Sequence, residues 1–182
     1  MARKFSVQKI TLVGMMAAVG FLFLLLAGVA PTGWIGITAL AGFPVALCVS
    51  MAGYLSGVMC WIAAGLLALF LVPGKQVAVL FLCLFGLYPI LKNRIERTRH
   101  SLLSVLIKLL CYNIVFFALY FMAYPLLFQS VSKQWEWNIP LLPALWVITN
   151  IVFLAYDYAF SKIMALLQAR LVPEIRRRWK GR

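Results

Sequence analysis

Basic residues fall at alternate junctions between long apolar runs, and this alternation leaves the chain few ways to fold. Of 17 Lys and Arg, 15 lie at three junctions; only Lys75 and Lys133 lie on the other side. Arg3, Lys4 and Lys9 precede the first run. Lys92, Arg94, Arg97 and Arg99, with Lys108 just inside the next run, mark the centre. Lys162, Arg170, Arg176, Arg177, Arg178, Lys180 and Arg182 mark the end. An apolar run of about 20 residues crosses a bilayer as a helix. Lys and Arg in short loops stay on the cytoplasmic side. An even number of spans must therefore connect each cluster to the next. This predicts an all-α integral membrane protein, one bundle of six transmembrane helices with both termini in the cytoplasm.

Composition agrees. Only 12% of the 182 residues are charged and 65% are hydrophobic, against about 25% charged in a soluble domain. Six spans of roughly 20 residues take up about 120 residues, leaving short loops and basic ends. The expected location is the plasma (cytoplasmic) membrane, multi-pass, with the lipid bilayer as the main surround. The net charge of +13 fits anionic lipid, at about 1 kcal/mol per basic residue near the surface, and no nucleic acid is expected. Cys48, Cys60, Cys83 and Cys111 all lie in apolar runs without CxxC spacing. They read as structural thiols, with no metal and no cofactor. The apolar stretch 10–30 is too long for a signal peptide's core and reads as a retained first helix.

Turn residues then divide the chain. The expected helices are 9–30, 35–49, 54–71, 76–91, 101–127 and 139–167, followed by a basic cytoplasmic tail 168–182 interrupted by Pro173. Gly42 and Pro44 mark the second helix as short and kinked. The loop 92–100 is the largest cytoplasmic one. The segment 129–138 is the most polar outer one.

Asp157 is the sole acid inside an expected span, and a carboxylate at that depth needs a partner. It and Lys108 lie about eight and seven residues from the cytoplasmic ends of their helices, about 10–12 Å deep at 1.5 Å per residue. They form a candidate intramembrane ion pair, with Lys162 as the alternative partner. A structural pair setting helix register is the first reading; a coupling or proton site is the second. Asn113, Thr149 and Asn150 are further polar groups in the last two helices and read as packing contacts.

On the outer side, Trp34, Lys75, Lys133, Trp135 and Glu136 gather from three loops as a candidate substrate-binding group, with Gln134 and Trp137 beside them. The rival reading is an interfacial aromatic belt and a solvated loop. Gly14, Ala17 and Ala18 on the first helix are small residues spaced for close helix approach, and Gly53 and Gly57 repeat that spacing. No HExxH, nucleophile elbow, paired acids or Walker motif occurs. His100 is the single histidine. The chain is expected not to be an enzyme.

The chain resembles the substrate-binding S components of energy-coupling factor transporters. The segment Thr11-Leu-Val-Gly-Met-Met-Ala-Ala-Val-Gly20 is similar to their first helix, 28–34 is placed like their outer gating loop, and 43–57 resembles their apolar, Gly-rich second and third helices. Asn113 and Tyr156-Asp157-Tyr158 match no substrate-specific subgroup. The resemblance implies binding of a vitamin-like micronutrient on the outer side, and movement driven by separate scaffold and ATPase subunits. It implies that Gly14, Ala17 and Ala18 face the scaffold and that the loops around Trp34, Lys75 and Trp135 line the solute. The alternative is a non-catalytic scaffold or assembly protein of a cell-envelope complex.

Overall fold

The computed structural model describes residues 7–95, 101–118 and 141–180, and every regular element among them is a helix. They are α1 Val7–Val29, α2 Trp34–Leu40, α3 Gly42–Ala52, α4 Tyr54–Leu71, α5 Lys75–Leu80, a π-helix Phe81–Phe85, α6 Leu87–Ile95, α7 Ser101–Ala118 and α8 Leu141–Lys180. Five stretches are long and apolar enough to cross a membrane: Val7–Val29, Trp34–Ala52, Tyr54–Leu71, Lys75–Ile95 and Trp146–Arg170. The chain is a multi-pass membrane protein. A sixth apolar helix, Leu103–Ala118, is shorter within the described residues. The rest of its expected span, 119–127, lies outside them.

The second expected helix is two. α2 ends at Leu40 and α3 starts at Gly42. Pro44 explains the break: it has no N–H to donate back to Leu40, so it suits the first turn of a new helix. The expected helix 76–91 is likewise α5, the π-helix and α6 in series, reaching Ile95. In the π-turn the Gly86 N–H donates to the Phe81 carbonyl at 2.7 Å. The Leu82 carbonyl accepts the Trp61 indole N–H at 3.2 Å. That arrangement needs Gly86, because a Cβ there would sit 2.9 Å from Trp61 Nε1.

The last helix continues to Lys180, beyond the expected end at 167, and passes through position 173. A proline removes one i→i−4 bond; the ladder on either side carries the helix on.

The core lies among α1, α3, α4, α5 and the π-helix. Leu24, Ala41, Val45, Cys48, Cys60, Ala64, Ala68 and Phe81 are buried there. Small residues set these distances. A Cβ on Gly57 would run into Val49, and one on Gly42 would stand 2.6 Å from the Phe85 carbonyl oxygen. Gly53, at φ 98°, makes the turn between α3 and α4. α8 packs along Phe153, Phe160 and Met164, which recur at helical spacing and form one stripe; Phe160 and Met164 meet Ala46 and Leu47 of α3, and Phe153 meets Tyr88 and Tyr112. Phe160 stacks on Phe43 of α3, ring centroids 4.6 Å apart. Ser50 of α3 accepts from Gln168 of α8 at 2.9 Å, so these two helices run in the same direction.

Candidate functional site

Asp157 is the point where three helices meet. From α6, the Tyr88 hydroxyl and the Lys92 ammonium both donate to Asp157 Oδ1. From α7, Lys108 Nζ lies 3.2 Å from Asp157 Oδ2 and 3.5 Å from Oδ1. Ser161, one turn further along α8, accepts from Lys92 at 2.7 Å and donates to the Asp157 carbonyl at 2.7 Å. Lys92 and Lys108 are buried, 5% and 6% exposed.

The structure thus brings Lys108 and Asp157 together, and it adds Lys92, Tyr88 and Ser161. The alternative partner Lys162 instead lies over the Tyr158 ring, 5.6 Å from its centroid.

Local sequence explains each arm. Tyr88 and Lys92 are four apart on α6, so they share a face. Asp157 and Ser161 repeat that spacing on α8. Lys92 extends between the rings of Tyr88 and Phe160, its ammonium 5.7 and 5.9 Å from their centroids. Aromatic faces attract a cation at such distances. Desolvating two ammonium groups and a carboxylate is costly, and close ion pairs with further hydrogen bonds offset it. The buried hydroxyl of Tyr156, the residue before Asp157, has no hydrogen-bond partner among the described residues.

A second polar group lies further along the α7–α8 seam. Asn113 Nδ2 donates to Asn150 Oδ1 at 3.0 Å and to the Leu109 carbonyl at 2.8 Å. The Trp146 indole donates to Asn113 Oδ1 at 2.6 Å, and Asn150 donates to the Trp146 carbonyl at 2.8 Å. Lys108 pairs with Asp157, and Asn113 with Asn150, so α7 and α8 are antiparallel. Between the two polar groups, Tyr112 stacks on Phe153 at 4.2 Å. An apolar crevice of ≈ 20 Å³ lies there, lined by Cys83 and Tyr88 on one wall and by Cys111 and Tyr112 on the other. It holds about one water-sized sphere, far below the roughly 300 Å³ of a small-molecule site.

The outer candidates are only partly placed. Trp34 is half-buried and packs against the core. Lys75 is exposed, and its ammonium donates to the carbonyls of Leu69 and Phe70 at 2.7 and 3.5 Å, at the end of α4. A cation there complements the helix dipole. Both residues lie at one end of the bundle, since Gly28, just before the first loop, abuts Val72, at the start of the next. Lys133, Trp135 and Glu136 lie outside the described residues.

The small residues of α1 divide. Gly14 is exposed, with open space where a Cβ would stand, and Ala18 is exposed on the same side. Ala17 is 4% exposed and belongs to the core, so it packs within the chain and faces no partner.

Comparison of the chain with protein-family models, curated proteins and solved structures finds no match.

Proposed function

We propose that the chain is the membrane-embedded substrate-binding subunit of an uptake transporter for a vitamin-like micronutrient, energised by a separate ATPase module. The observation that carries this reading is the meeting of the first and third loops at one end of the bundle. There Trp34 and Lys75 start neighbouring helices. α8, parallel to α3, starts towards that same end, and the antiparallel α7 runs towards it. In this reading six helices cross the plasma membrane, both termini are cytoplasmic, and this end faces outward. The exposed Gly14 and Ala18 side of α1 is the face offered to a scaffold subunit. The resemblance to S components supplies the direction of transport and the class of solute.

The test is mass spectrometry of small molecules retained by the purified protein, joined to identification of co-purifying subunits. A retained micronutrient with an ATPase module is the expected result. Gly14→Leu should leave folding intact and remove the module. An empty protein without an ATPase module sinks the reading.

The scaffold reading then takes over. One observation favours it: the crevice between the α6 segment and α7–α8 has room for only ≈ 20 Å³.

Topology has its own test. In a background without reactive native thiols, Trp135→Cys should label from outside and Ile95→Cys from inside. The reverse pattern overturns the orientation, because it would contradict the rule that basic residues stay inside.

A further inference from the structure

Polar contacts from α6 to α8, and the ion pair between α7 and α8, converge on one carboxylate. Directly beside them, the same Tyr88 forms part of the wall of the narrow crevice. The wall opposite is α7, with Cys111, Tyr112 and Val115. Along the crevice the contacts are ring on ring: Tyr112 on Phe153 at 4.2 Å and Tyr88 against Phe153 at 5.3 Å. Apolar ring faces part and rejoin without any directional bond to re-form. The ion pairs are directional and either made or broken. The crevice walls come from the π-helix and α6 on one side and α7 on the other, and π-turns are frequent at functional positions.

We propose that Asp157 is a latch. While its carboxylate holds Lys92 and Lys108, the crevice between the π-helix–α6 segment and α7 stays narrow. When the Lys108 arm lets go, α7 moves off α6 and the crevice widens towards the end of the bundle marked by the basic residues. The inference stands whether or not the protein carries a solute, since it concerns only how three helices are held.

The chain contains its own reporters. Cys83 and Cys111 are half-buried free thiols on opposite walls of the crevice, whereas Cys48 and Cys60 are fully buried in the core. Lys108→Met removes one arm and leaves Tyr88 and Lys92 on the carboxylate. The full-length protein in lipid nanodiscs is treated with N-ethylmaleimide, and labelling at each cysteine is followed by peptide mass spectrometry. Local opening governs the reaction of such protected groups, so Cys83 and Cys111 should label about tenfold faster or more. Cys48 and Cys60 should keep their wild-type rates, and Lys108→Arg should restore slow labelling at Cys83. Asp157→Asn should open the crevice at least as far. Unchanged labelling at Cys83 in Lys108→Met overturns the latch. So does a parallel rise at all four cysteines in that variant, which would mean that the whole bundle had loosened.

Discussion

Asp157→Asn is expected to lower stability towards the lower end of the roughly 3–5 kcal/mol that follows loss of one partner from a buried pair. The amide keeps the shape but removes the negative charge that Lys92 and Lys108 both meet in a poorly solvated place. The side chain of Asp157 is 16% exposed, which sets the expectation at the lower end. Lys92→Met should cost more than Lys108→Met. Lys92 meets the carboxylate, the Ser161 hydroxyl and two ring faces, whereas the ion pair of Lys108 is a longer contact at 3.2 Å.

Denaturant titration of the detergent-solubilised protein measures all three. Each Lys change combined with Asp157→Asn should lose less than the sum of the two single changes, because contacting residues couple by about 0.5–3 kcal/mol. Strict additivity in the Lys108 cycle would mean that the two residues do not interact.

Gly42→Ala is the second large effect. A Cβ at this position stands 2.6 Å from the Phe85 carbonyl oxygen, with the Pro89 ring beyond it at 3.6 Å. The obstacle is backbone inside a helix, which cannot turn aside as a long side chain can. Overpacking of this kind costs about 1–3 kcal/mol or more, and Gly42→Val should fail to give a folded protein. Gly14→Ala on α1 is the control with the opposite sign. Nothing lies within 4 Å of its Cβ, and alanine in a helix interior gains about 0.5–1 kcal/mol over glycine. Melting temperatures in one detergent should therefore move in opposite directions for the two variants. Equal losses would mean that the close approach of α3 to the π-helix is absent.

Much of this was legible because membrane insertion writes itself into hydropathy and charge. The apolar runs and Gly-Pro breaks located the five spanning stretches. The depth of Asp157 and Lys108 placed them at one level. Lys92 was not legible in the same way. It opens a run of basic residues that reads as a loop, yet the helix continues to Ile95 and turns that one lysine inward. The usable signal was its spacing from Tyr88, four residues back on an apolar stretch. Pro44 announced the break before α3. Nothing comparable announces the π-turn, since its bond pattern depends on the Trp61 indole arriving from another helix. The contact of Asn113 with Asn150 and Trp146 needed the antiparallel register of α7 and α8, which sequence spacing alone does not fix.

The π-turn has a consequence for what the segment after it encodes. An α-helix advances about 100° per residue, and a π-turn absorbs one additional residue. In an uninterrupted helix, Phe81, Phe85, Tyr88 and Lys92 would fall on a single stripe. The extra residue shifts the phase, so Phe81 stays with the core while Tyr88 and Lys92 turn to meet Asp157. Return of Phe81–Phe85 to α-geometry at the same chain length would alter no chemical group in the charged cluster. It would nevertheless swing Tyr88 and Lys92 by about 100°, out of reach of the carboxylate. The bond pattern of this turn is thus itself a functional quantity.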